Sequence, residues 1–216
     1  MSEWWTYTLA DLLMFSARTY FRLFELYNRA IWPAQLVGLA IGVALLLNVL
    51  RGRAGRMPAV LLALCWLWVA WAFHAERYAS ISTAAVYFAV GFAVQGLLLL
   101  LLSAKDKAEP GAATRATSPA AVGLVLASLV AWPVLAPASG RPWTQAEVIG
   151  VAPDPTAIAT LGVLLALRGH WLLWPIPLLW CALSSATLAT MKAPYAWSPL
   201  LAALLALLLA VARGIR

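Results

Sequence analysis

Residues 17–53 read ARTYFRLFELYNRAIWPAQLVGLAIGVALLLNVLRGR, and the change of character at Pro33 decides the fold. Before it, Arg18, Arg22, Glu25 and Arg29 fall among aromatic residues; after it, no charged residue occurs from Ala34 to Leu50, and Arg51 ends the run. At helical spacing, Asp11, Arg18, Arg22, Glu25 and Arg29 lie within one arc of about 60°, with Leu, Phe and Tyr side chains over most of the remainder. Glu25 and Arg29 are four apart in the favourable order, and Arg22 and Glu25 are three apart, so the stripe can pair internally. Residues 1–31 therefore read as an amphipathic helix with a narrow polar stripe. Pro33 disfavours helix in the residue before it and turns the chain into a first apolar helix.

The rest of the chain repeats the second half of this pattern. Of 216 residues, 64% are hydrophobic, and 15 Lys and Arg with 8 Asp and Glu are all the charge there is. A soluble fold cannot bury that much apolar surface. Several runs are long enough to cross a hydrocarbon core about 30 Å thick at 1.5 Å per helical residue. Stretches such as LLAALLALLLAVA lack the alternation of a barrel strand, which leaves helices as the spanning element.

The expected fold is an all-α integral membrane protein with about seven transmembrane helices plus the N-terminal amphipathic helix at the interface. The spans are expected near 33–50, 58–75, 82–103, 120–137, 155–168, 170–190 and 197–212, within one membrane domain covering 1–216. Residues 33–103 carry the first three spans and 120–216 the last four, and 104–119, rich in Ala, Pro, Thr and charge, reads as a flexible linker. Asp154 suits an N-cap and Pro155 the first position of the fifth helix. The turn between the fifth and sixth spans falls either at Arg-Gly-His, 168–170, or at Trp-Pro-Ile-Pro, 174–177.

Charge sets the orientation. On one side stand nine basic residues, Arg51, Arg53, Arg56, Lys105, Lys107, Arg115, Arg168, Arg213 and Arg216, against Asp106 and Glu109, which leaves the chain's whole +7 there. On the other side six basic and six acidic residues cancel. The positive-inside rule makes the basic side cytoplasmic, with the C-terminus inside and the N-terminal helix on the outer face. Topology and anionic headgroups account for the basic balance, so no nucleic-acid partner is implied, and the partner is the bilayer, with other membrane subunits or a second copy left open. The start, MSEWWTYTLADLL, has no basic n-region and carries Glu3 and Asp11, against a cleavable signal peptide.

The opening, EWWTYTLADLLMFSARTYFRLFELYNRAIWPAQ, resembles that of a family of small bacterial multi-pass membrane proteins with no assigned function, in which a Trp-Trp-Thr-Tyr start and the Arg-Thr-Tyr, Arg-Leu-Phe-Glu and Tyr-Asn series recur. The likeness covers about the first 35 residues and is compositional beyond them. It implies a bacterial inner membrane location and supplies no activity.

The best candidate site is an outer polar cluster of Asp11, Arg18, Arg22, Glu25, Arg29, His74 and Glu76, joined by Asp154, Lys192 and Tyr195 from the later outer loops; the plainer reading is charges that solvate the surface and neutralise one another. His74 and His170 could serve haem only if they met, whereas the expected topology sets them a bilayer apart at hydrated edges. Cys65 and Cys181 read as small buried hydrophobes rather than ligands for a soft metal. Asn48, Gln95, Ser184, Ser185, Thr187 and Thr190 line a path or bond helix to helix, and Ala34, Gly38 and Gly42 form a small-residue ridge for close helix packing. No nucleotide loop, serine elbow or zinc-protease helix occurs, and no expected span holds a central Asp or Glu. No cofactor and no catalytic residue is implied, which disfavours an enzyme. Two readings follow: a permease or facilitator for a small solute or ion, and a structural or accessory subunit of a larger membrane complex.

Overall fold

The computed structural model describes residues 15–52, 56–105, 118–167 and 169–214, and among them every regular element is helical. In order these are α1 (Ala17–Ala30), α2 (Ala34–Leu50), α3 (Arg56–Trp68) prolonged by a π-helical segment (Val69–Ala75), α4 (Ala85–Lys105), and α5 (Pro119–Leu126) joined through a second π segment (Ala127–Ala131) to α6 (Trp132–Ala138). After a long connection come α7 (Pro153–Leu167), α8 (Pro175–Thr190) and α9 (Ser198–Ala212). The starts follow capping chemistry. Ser16 accepts from the Thr19 amide ahead of α1 and Ser118 from the Ala121 amide ahead of α5, while Pro119, Pro175 and Pro199 sit where a missing N–H costs nothing.

Seven spans were expected, and among the described residues four helices are long and apolar enough to cross a membrane: Arg56–Ser80, Ala85–Ser103, Pro119–Ala138 and Trp171–Thr190. α2 has 17 residues, and α7 and α9 have 15 each. Each lies within two residues of its expected bounds: Pro33 precedes α2, α7 begins at Pro153 with Asp154 in its first turn instead of capping it, and positive-φ Gly214 follows α9. The turn between α7 and α8 lies at Gly169 and His170, so Pro175 and Pro177 open α8 rather than reverse the chain.

α7 is the axis of the bundle. From Pro153 to Leu165 every residue is buried, and α2, α3, α5, α8 and α9 all pack around it. Trp66 on α3 donates its indole N–H to Thr160 on α7 at 2.8 Å, deep in this packing.

α1 makes an angle of 94° with α2 and lies across one end of the bundle. Tyr20, Leu23, Phe24 and Tyr27 form its buried face. Phe24 stacks on Phe73 with ring centroids 4.9 Å apart, Tyr20 meets Tyr78 edge-on, and the Tyr27 hydroxyl donates to the Val151 carbonyl at 2.9 Å.

The connection between α6 and α7 is not a surface loop. After a turn of 3₁₀ helix at Trp143–Gln145, residues Ala146–Ala152 run as buried non-helical backbone between α1, α2 and α3. The small-residue ridge on α2 serves this segment more than a neighbouring helix. A Cβ on Gly38 would stand 2.3 Å from the Ile149 carbonyl oxygen, and one on Gly42 would stand 2.9 Å from the Ile149 side chain. Gly150 has φ +83° and faces Gly38 across that contact, a conformation that glycine alone adopts freely. Its amide donates to the Thr156 hydroxyl at 2.9 Å, which fastens the segment to the first turn of α7.

Candidate functional site

The charged stripe of α1 pairs as its spacing requires. Oε1 of Glu25 accepts from Arg22 at 2.6 Å and from Arg29 at 2.8 Å, and Gln145 of the inserted connection donates to Oε2 at 3.4 Å. The Arg22 hydrogen bond, then Gln145 and the charge of Arg29, hold the Glu25 carboxyl below its ordinary value against partial burial. Arg18, Arg22 and Arg29 are exposed, and Asp11 lies outside the described residues.

The remaining members of the expected cluster separate. Glu76 is exposed just past the end of the π segment, whereas His74, expected at a hydrated edge, is fully enclosed. Three elements close over it: α4 contributes Phe88 and Phe92, α8 contributes Trp180, and Phe73 and Tyr78 come from its own stretch. His170, by contrast, is exposed in the connection at the opposite end of the bundle, where its Nδ1 accepts from the Leu172 amide. Cys65 and Cys181 are buried free thiols. Among the described residues no three His, Cys, Asp or Glu side chains gather as metal ligands would.

A different polar centre lies beneath α1. Glu147 on the inserted connection and Asp154 in the first turn of α7 are both buried, although the sequence placed them among outer charges. Each is met by an indole. Trp132 of α6 donates to Glu147 at 3.4 Å, and Trp180 of α8 donates to Asp154 at 2.8 Å, with the Ser184 hydroxyl on the other Asp154 oxygen at 2.7 Å. Burial, reinforced by the neighbouring Asp154 charge, pushes the Glu147 carboxyl upward, and Arg141 only partly offsets this.

Arg141 is the cation beside the pair. Its guanidinium lies over the Phe21 ring of α1 at 3.9 Å and donates to the Tyr195 hydroxyl in the turn between α8 and α9, while Nη1 has no protein partner. Tyr20 on α1 and Tyr78 complete the surroundings on the covering side, each feeling the Asp154 charge. Two carboxylates against one half-buried guanidinium leave a deficit of one positive charge in a low-dielectric enclosure. Burial of two carboxylates with one guanidinium beside them favours uptake of a proton or another cation, since their neutral donors do not offset the charge.

The pair escaped sequence reasoning because Glu147 and Asp154 lie outside every long apolar run. A signal was present nonetheless. The two acids bracket Val148-Ile149-Gly150-Val151-Ala152, an apolar pentapeptide unsuited to an exposed loop.

The chain belongs to DUF6064, a family of unknown function, whose profile matches residues 17–216, well beyond the opening stretch that carries the resemblance. No curated protein and no solved structure matches it.

Proposed function

We propose that this member of the DUF6064 family is a multi-pass protein of the bacterial inner membrane that facilitates passage of a small cationic solute or ion, bound at Glu147 and Asp154 beneath α1. The observation that carries the reading is the buried carboxylate pair at the junction of an inserted, non-helical segment with a short central helix. Irregular backbone at such depth is tolerated where it is enclosed by protein or lines a binding cavity, and broken helices are where transporters place their sites.

Membrane placement rests on composition, on four helices of spanning length, and on the distribution of exposed aromatics. Trp32, Trp71, Tyr87, Trp143 and Trp197 are all exposed and all lie in or next to the connections at the α1 end, as an interfacial aromatic belt would. Arg51, Arg56 and Arg213 mark the opposite end, where Arg213 donates to Ser118 at 3.0 Å. By the positive-inside rule that end is cytoplasmic and α1 lies on the periplasmic face. A reporter fused after Arg216 tests the orientation: activity in the periplasm overturns it.

Proteoliposomes test the function directly. Purified protein should accelerate uptake of at least one member of a panel of protons, alkali cations and small alkylammonium ions over protein-free vesicles. Asp154→Asn and Glu147→Gln should abolish that uptake while helicity and gel-filtration profile are retained. Uptake equal to protein-free vesicles across the panel overturns the reading. Co-purification with a stoichiometric membrane partner in mild detergent, together with that failure, would move the chain to the accessory-subunit class.

A further inference from the structure

His74 raises a question that packing does not answer. Its ring has no exposed surface, and neither Nδ1 nor Nε2 has a hydrogen-bond partner. A phenylalanine would fill the same space without leaving a donor and an acceptor unmade, which is the costly outcome for buried polar groups. The five rings around it include Phe92 at 4.5 Å and Trp180 at 5.0 Å between centroids, close enough for their π-systems to stabilise a cation. Trp180 also donates its indole N–H to Asp154. One side chain therefore touches both the unpartnered imidazole and Asp154 of the carboxylate pair. The π-helical insertion that carries His74 is a local departure from α-helix of the kind found at functional sites.

We infer that the cation taken by this centre is the proton, and that Glu147, Asp154 and His74 bind it as one coupled unit. The inference rests on reading the carboxylate pair as the binding site and names the ligand. A proton needs no cavity, makes an N–H on an imidazole that lacks a partner, and supplies the positive charge that the pair lacks. Ionised carboxylates favour the imidazolium and the imidazolium favours ionised carboxylates, so uptake at one group shifts the others. The same low-dielectric enclosure that isolates the three from water strengthens this coupling.

The other groups facing the centre do not compete near neutral pH. They are the phenols of Tyr20 on α1, Tyr78 after the π segment and Tyr195 between α8 and α9, and the Cys181 thiol on α8, all with ordinary values well above 7. Arg141 is the guanidinium beside the pair. From α4 Phe88 and Phe92 pack on His74, and Glu76 and Arg77 that follow it in sequence are exposed.

The chain has two histidines, so the test reads each separately, with exposed His170 as an internal reference. Full-length protein labelled with ¹⁵N-histidine in lipid nanodiscs is titrated from pH 5 to 9 by NMR, alongside the infrared band of protonated carboxyls. His74 should change in step with the carboxyl band, and Asp154→Asn or Glu147→Gln should each weaken proton binding at His74 about tenfold, the effect of one interacting charge worth a pH unit. A His74 signal that stays constant while the carboxyl band changes overturns the inference, as does a His74 midpoint identical in wild type and in both variants. The measurement involves no transported solute. A coupled titration without cation uptake in vesicles keeps this inference and removes the transport reading. Cation uptake dependent on Glu147 with a silent His74 does the reverse.

Discussion

Replacing Gly38 with alanine tests whether the inserted connection is seated on α2 as described. The new methyl would stand 2.3 Å from the Ile149 carbonyl oxygen, about 1 Å inside ordinary contact, and the obstacle is backbone that cannot swing aside. Retreat of the segment by that distance strains the Tyr27 bond to Val151 and the Gly150 bond to Thr156, which anchor it on either side. Overpacking of this kind costs about 1–3 kcal/mol, and the gain from removing a helical glycine returns about 0.5–1 kcal/mol. The net loss is about 0–2.5 kcal/mol, or up to about 10 °C in Tm for a chain of this size. Gly91 on α4 is the control, because a Cβ there meets nothing within 4 Å. Gly91→Ala should be stabilising by about 0.4–1 kcal/mol. Thermal unfolding of both variants in one detergent, followed by tryptophan fluorescence, gives shifts of opposite sign. A Gly38→Ala protein at least as stable as Gly91→Ala would refute the seating of Ile149 on α2.

Trp180→Phe removes the indole donor of Asp154 and leaves a buried carboxylate oxygen unpaired, so denaturant unfolding should show a loss of about 1–3 kcal/mol; no change would mean that the bond is not made. Glu25, held below its ordinary value of 4.5, contributes stability that is present above that value and lost as pH falls through the lower folded one. Glu25→Gln should therefore flatten the acid limb of a Tm-against-pH curve. Glu147 has the opposite sign: its folded carboxyl is shifted upward, the native state binds the extra proton, and stability falls as pH rises through that window. Glu147→Gln should remove this decline, and an unaltered alkaline limb would count against its burial. Phe21→Ala takes the ring from beneath the Arg141 guanidinium, and hydrogen exchange in the N-terminal half of α1 should rise while that around Tyr27 and Asn28, which hold Val151, Thr144 and Ala146, stays slow.

What the sequence made legible followed from periodicity. Arg22, Glu25 and Arg29 were readable as one stripe because spacings of three and four fix geometry within a single helix, and the two ion pairs formed at 2.6 and 2.8 Å. Each apolar run became a helix for the same reason. Enclosure was less legible than length: the run at 155–168 became α7 at nearly its expected length, with 15 residues, yet nothing in the run foretold that it would be buried from Pro153 to Leu165. Contacts between distant segments left only indirect traces. Gly38 and Gly42 announced a close approach without naming the visitor, and the apolar residues between Glu147 and Asp154 announced burial without naming the host. His74 was misplaced because its enclosure depends on Phe88, Phe92 and Trp180, which are adjacent to it only once α4 and α8 have packed.

The narrowness of the α1 stripe follows from what each side of the helix meets. Tyr20, Leu23, Phe24 and Tyr27 lie diametrically opposite Arg18, Arg22, Glu25 and Arg29 at helical spacing, and that face is buried on the bundle. One flank, Phe21 and Asn28, is taken by Arg141 and by the Thr144 and Ala146 carbonyls of the inserted connection. The other flank holds Leu26, which is 50% exposed. A helix resting on protein below and beside leaves little of its circumference free, and one line of that remainder is what the arginines occupy. Glu25 alone of that line turns inward, to Gln145, two residues before Glu147. The stripe and the buried pair are thus tied to the same short segment, so that a displacement of α1 changes the cover over Glu147 and Asp154. On the proposed reading α1 is the element that a cation must pass to reach them from the periplasmic face, and the acids below supply the charge that attracts it.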